Sequence, residues 1–121
     1  QEQRQGIDRI FARRQTGRRA TVEYKTDYKA AQTCNAFVET VSVDTAGKPG
    51  WAYSSAADYL IYYIPGDGLI YVLALEVLHR ELPRWLQEYP LRAAQNEGYA
   101  IHGVLVPLCE FEAHAEAAIS T

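Results

Sequence analysis

Glu23 and Lys25 stand two residues apart in a segment, 19–28, whose composition suits a β-strand. Side chains alternate faces along a strand, so the carboxylate and the ammonium project from one face. Asp8 lies upstream, in an expected strand over 6–13, and Gln15-Thr16-Gly17 is the turn expected to join the two. A turn centred on Gln15-Thr16 sets Asp8 opposite Glu23, and one centred on Thr16-Gly17 sets it opposite Lys25. Directly opposed residues share a face, so either register gathers two acids and a lysine at one place. A slip by one residue disperses them.

Such a group suits the hydrolysis of a phosphate ester. Mg²⁺ binds through one or two carboxylates plus phosphate oxygens, and Mn²⁺ takes similar oxygen donors. The ion offsets charge developing on phosphorus and makes a bound water more acidic. A lysine beside it can orient or deprotonate that water, or stabilise the charged transition state. Glu-x-Lys alone is commonplace on a solvated strand, and the matching Asp8 is what gives the pattern weight. The plainer alternative is an exposed ion pair of Asp8 with Arg9 or Lys25, worth little energetically.

The elements that must position these residues follow from the breakers. Residues 35–43, rich in Val, Phe and Thr, read as a third strand, and 45–50 as a loop broken by Gly47 and Pro49-Gly50. Ser54-Ser55 is expected to cap a short helical turn at Ala56-Ala57. Residues 59–64 read as a buried strand, Pro65-Gly66-Asp67-Gly68 as a turn, and 69–73 as the return strand. Over 75–89, Leu75, Leu78, Leu82, Trp85 and Leu86 form one helical stripe; Pro83 should kink or interrupt the helix, and Pro90 ends it. Residues 92–98 read as a polar loop, 99–107 as a strand and 110–118 as a terminal helix. The expectation is a single α/β domain over 1–121, built around one mixed sheet.

Gly6-Ile7-Asp8, a turn, and then Val22-Glu23-Tyr24-Lys25 resemble the signature of the PD-(D/E)XK nuclease superfamily, the restriction-endonuclease-like fold. Ile7 stands where the name has Pro. The resemblance spans roughly residues 5–107 and rests on three diagnostic residues. It implies a central mixed β-sheet flanked by helices, with the leading helix of the family missing upstream. It also implies that Asp8 and Glu23 ligate Mg²⁺ or Mn²⁺, that the main-chain carbonyl of Tyr24 adds a ligand, and that Lys25 positions or activates the attacking water. The activity implied is that of an endonuclease or junction-type nuclease on DNA, of the sort found in phage and mobile elements.

Composition is that of an ordinary folded domain, with 48% apolar and 22% charged residues. No apolar run approaches the ~20 residues that span a bilayer, so no membrane role is expected. A net charge of -3 is not the bulk signature of a nucleic-acid binder. Eight of the 12 basic residues nevertheless fall within 1–29, among them Arg13, Arg14, Arg18 and Arg19, the expected phosphate contacts. Asn35 is a further candidate for phosphate contact and Glu39 for a third acid near the metal; the plainer readings are a turn Asn and an exposed strand Glu. Trp51, Tyr53, Ser54 and Ser55, and with them Asn96 and Tyr99, could touch nucleic acid, although a loop Trp is more often a packing anchor. Cys34 and Cys109 have no metal-type neighbours and are expected to be reduced, with one or both buried, which fits a cytoplasmic protein. His79, His102 and His114 share no ligand spacing, so no zinc site is expected. Two other readings stand beside the nuclease: a non-catalytic nucleic-acid-binding or assembly module of the same fold, and a homo-oligomeric subunit whose site is complete only in the assembly.

Overall fold

The computed structural model describes residues 20–121. The expected strand over 6–13, its turn, Asp8 and the four arginines Arg13, Arg14, Arg18 and Arg19 lie outside the described residues. The elements run β1 (Val22–Thr26), α1 (Ala30–Thr33), β2 (Asn35–Val43), β3 (Lys48–Pro49), α2 (Trp51–Ser54), β4 (Tyr59–Ile64), β5 (Leu69–Ala74), α3 (Leu75–Glu88), β6 (Leu91–Asn96), β7 (Tyr99–Pro107), α4 (Leu108–His114) and β8 (Ala117–Ser120). Short 3₁₀ turns join β2 to β3 and β4 to β5.

The architecture is α/β, but the expected single mixed sheet is replaced by two four-stranded sheets, ordered β1-β4-β5-β8 and β3-β2-β7-β6 among the described residues. Among the described residues only β1 and β4 pair in parallel; every other ladder there is antiparallel. The division follows from β2, which pairs with β7 on one side. On its other side β3 reaches only Val41 and Val43, so among the described residues the first half of β2 keeps an open edge.

One apolar core joins the sheets. Leu60, Tyr62, Ile64, Tyr71 and Leu73 come from the first, and Ala36, Val38, Val104 and Val106 from the second. The leucine and tryptophan stripe of α3 closes it with Leu75, Leu78, Leu82 and Trp85, and Phe111 of α4 fills the centre, edge-on to Tyr62 and Tyr71. The other face of the first sheet carries a smaller cluster of Ile61, Ile70 and Val72, flanked by Val22, Tyr24, Tyr59 and Tyr63.

Several expectations need correction. The helix near Ser54-Ser55 begins instead at Trp51, behind an extended Gly50, and Ser55 Oγ accepts from the Ala57 N–H beyond it. Helix α3 runs without interruption through Pro83, on its exposed face. Most of the polar loop expected over 92–98 is instead β6, a strand exposed along its whole length and held by β7. The terminal helix stops at His114, and Ala117–Ser120 pairs with β5 instead. Both cysteines are free, as expected, but both are exposed.

Candidate functional site

Strand β1 sorts its side chains by face. Val22 and Tyr24 pack on the smaller cluster, while Glu23 and Lys25 stand in register with Leu60 and Tyr62 of β4, on the side of the main core. Among the described residues β1 is the last strand of its sheet, so that face opens at the core's rim rather than being sealed within it. There Lys25 Nζ lies 3.1 Å from Glu23 Oε2, with about a third and a quarter of the two side chains exposed. The shared face expected of Glu23 and Lys25 is thus present. Where Asp8 stands relative to them lies outside the described residues.

Backbone direction places a further oxygen. Thr21 O accepts from Tyr59 N at 3.1 Å and Asp27 N donates to Tyr63 O at 2.9 Å, so the odd-numbered residues bond toward β4. Bonds alternate along a parallel ladder, which turns the Tyr24 carbonyl away from β4 to the opposite edge of the strand. A main-chain oxygen and the Glu23 carboxylate therefore belong to one short stretch of chain.

Asp27, just beyond β1, fixes the end of that strand. Its Oδ1 accepts the N–H groups of Lys29 and Ala30, both at 3.0 Å, an Asx-type turn that starts α1. Its Oδ2 accepts the Tyr62 hydroxyl and, at 3.4 Å, the Phe37 N–H on the open edge of β2. The same N–H reaches the Tyr62 oxygen at 3.0 Å. One carboxylate thereby ties β1, α1, β4 and β2 together. Burial, with the Asp27 carboxylate as acceptor, pushes the Tyr62 hydroxyl far above the ordinary tyrosine range and keeps it a donor.

Beside this junction lies a cleft of about 670 Å³, lined by Lys25, Asp27, Tyr28, Lys29, Asn35, Phe37, Glu39, Trp51, Arg92 and Leu105 among others. Asn35 and Glu39 therefore share a cavity with Lys25. Glu39 is held by α2: its Oε1 accepts the Trp51 N–H at 3.4 Å. Gly50 makes the approach possible, because a Cβ there would lie 2.4 Å from the Glu39 carbonyl oxygen. Trp51 is 8% exposed, a packing anchor that also lines the cleft. Tyr53 is exposed away from this group, against His79, Leu82 and Pro83. Ser54, Ser55, Asn96 and Tyr99 are not among the residues lining the cleft.

Asp27, Tyr62, Lys29 and Arg92 were not singled out by their types or spacing. Asp27 had a faint signal, an acid shortly before a helix start; the others meet only through the fold. Among the described residues Lys29 and Arg92 form no ion pair, whereas Asp27 is fully engaged and Glu39 accepts from Trp51. The lining carries Lys25, Lys29 and Arg92 against Asp27 and Glu39, one positive charge in excess.

The donor chemistry fits a hard cation in kind. Glu23 and the Tyr24 carbonyl are oxygen donors, and Mg²⁺ asks for one or two carboxylates with substrate oxygens completing its shell. Among the described residues no three of His, Cys, Asp and Glu gather to hold a metal. The histidines serve structure: His79 contacts the Ala52 carbonyl at 2.7 Å and His102 meets Asp44 at 3.1 Å. His114 joins a network in which Arg84 grips Glu110 and Glu81, binding α3 to α4. No helix among the described residues is long and apolar enough to cross a membrane. No family model, curated protein or solved structure matches the chain.

Proposed function

We propose that the chain is a divalent-metal-dependent endodeoxyribonuclease of the PD-(D/E)XK type, hydrolysing phosphodiester bonds with Asp8, Glu23 and Lys25 at its centre. The observation that carries this is the contact of Glu23 with Lys25 on the core-side face of β1, where Lys25 opens into a cleft edged by Lys29 and Arg92. A buried structural pair would be sealed by packing and a purely decorative one fully solvated; this pair is partly buried, with Lys25 lining a cavity. That is where a reacting phosphate needs a carboxylate and a cation together.

Glu23, the Tyr24 carbonyl and Asp8 would hold the ion, Mg²⁺ or Mn²⁺. When bound, it supplies Lewis-acid charge to the phosphate. Lys25 holds the attacking water or offsets the negative charge that grows on the phosphate oxygens. Lys29 and Arg92 bind flanking phosphates, with Arg13, Arg14, Arg18 and Arg19 adding longer-range attraction. Asp27 keeps the end of β1 in place, so that Lys25 enters the cleft at a fixed angle.

Metal dependence tests the proposal. Linear and branched DNA incubated with the protein should be cut in Mg²⁺ or Mn²⁺ and spared in chelator, with Ca²⁺ a poor substitute because of its looser coordination. Equal cutting after exhaustive chelation would refute metal use. Firm binding with no cutting of any substrate would support the non-catalytic module instead.

A further inference from the structure

We infer that the cleft beside Lys25 receives an unpaired nucleotide, so that the substrate is single-stranded or branched DNA rather than continuous duplex. This rests on the nucleic-acid reading above and extends it to the class of substrate.

Three observations carry it. The first is the character of the walls: Phe37, Trp51, Ala93, Ala94 and Leu105 give the cavity an apolar lining. A duplex presents phosphates outward and keeps its base faces stacked, so an apolar recess gains nothing from it. An unpaired base has a free π-face that aromatic side chains accept whatever its identity. Secondly, Tyr28 stands at the mouth with 75% of its surface exposed, the most exposed large apolar side chain among the described residues. An aromatic ring left in water at the lip of such a recess, next to Lys29, is placed to stack on an entering base. The third is charge. Asp27 and Glu39 keep their negative charge but accept main-chain and hydroxyl donors, while Lys29 and Arg92, which form no ion pair among the described residues, suit the phosphates on either side of that base.

Size agrees. A volume of about 670 Å³ falls within the range of pockets that enclose one small molecule, which fits a nucleotide and excludes a run of base pairs. Enzymes that read an extruded base place it in a pocket of this kind and favour sites already unpaired, where unstacking costs least. Lys25 lines the same cavity, so a base seated there brings its own phosphodiester to Glu23 and Lys25.

The test is binding in chelator, where no cleavage is needed. A short labelled DNA strand and the duplex of the same sequence are titrated by fluorescence anisotropy at two salt concentrations. The strand should bind at least ~10-fold more tightly than the duplex, about the effect of one base stack. Tyr28→Ala should weaken strand binding by about tenfold and leave the weaker duplex binding little changed, whereas Arg92→Ala, which removes a phosphate contact, should weaken strand binding and flatten its salt dependence; both side chains are exposed, so neither change threatens the fold. Equal or tighter duplex binding overturns the inference, and so does strand binding indifferent to both variants. A strand preference in a protein that cuts nothing in Mg²⁺ would sustain this inference and sink the nuclease. Cutting of duplex at a site unaffected by Tyr28→Ala would do the reverse.

Discussion

Removing the Asp27 carboxylate should loosen the junction of the two sheets, and its cost can be worked from the contacts. Asp27→Ala deletes the acceptor for the Lys29 and Ala30 N–H groups, a loss of about 1 kcal/mol by analogy with helix N-caps. It also orphans the Tyr62 hydroxyl, which is 2% exposed, at about 1–3 kcal/mol. The Phe37 N–H keeps the Tyr62 oxygen at 3.0 Å and adds nothing. The sum is about 2–4 kcal/mol. Tyr62→Phe should cost less, about 0.5–1.5 kcal/mol, because Asp27 still offers Oδ2 to Phe37 N–H. Combined, the two changes remove the orphaned hydroxyl but also leave the Phe37 N–H without either acceptor, so the ranking of the single variants is the test. Urea unfolding of the wild type and the two variants measures it. An Asp27→Ala penalty under about 0.5 kcal/mol, or one no larger than that of Tyr62→Phe, would refute the account of Asp27 as the tie between sheets.

Other consequences are simpler to state. Gly50→Ala sets a Cβ 2.4 Å from the Glu39 carbonyl oxygen and 2.6 Å from its carbon, so backbone must move; a loss of about 1–3 kcal/mol should appear as a lower melting temperature, and an unchanged melt would contradict the packing. Acid should loosen α4 from α3. The Arg84 guanidinium, aided by the Tyr89 hydroxyl, pulls the Glu110 carboxyl from its usual 4.5 down to about 2. A folded-state value below the unfolded one gives stability that is fully present above pH 4.5 and is lost as pH falls toward about 2. Arg84 lowers Glu81 in the same direction. Melts across that window should fall steeply in the wild type and less steeply in Glu110→Gln; parallel profiles would count against the network.

How much of this was legible beforehand varied with the physics of each segment. β2, β4 and β7 coincide with the stretches expected from composition, because branched and aromatic residues there are bounded by breakers or turns. β6 was invisible. Arg92, Gln95 and Asn96 give it no apolar face, and it exists because β7 offers a complete ladder after a turn at Gly98, whose φ of 85° suits glycine. The Ala-rich end of the chain favoured helix by propensity, yet β5 presented an edge and pairing won. At the site, the common face of Glu23 and Lys25 was readable from period-two alternation alone. Asp27, Lys29 and Arg92 were not, since what joins them to Lys25 is a cleft between segments up to 67 positions apart in the sequence. The two-sheet arrangement was equally hidden, as nothing local in β2 announces that it pairs with β7 and not with a strand of the first sheet.

Cleavage by Glu23→Gln and Lys25→Ala, measured beside DNA binding in chelator, tests the central claim most directly. Glu23→Gln keeps the size of the side chain and removes its charge; Lys25→Ala removes the cation 3.1 Å away. Each should slow cutting by at least ~100-fold, the scale of losing one electrostatic partner of the transition state. Binding should persist in both, carried by Lys29, Arg92 and the upstream arginines. Wild-type cutting rates in both variants would contradict the assignment of chemistry to this pair.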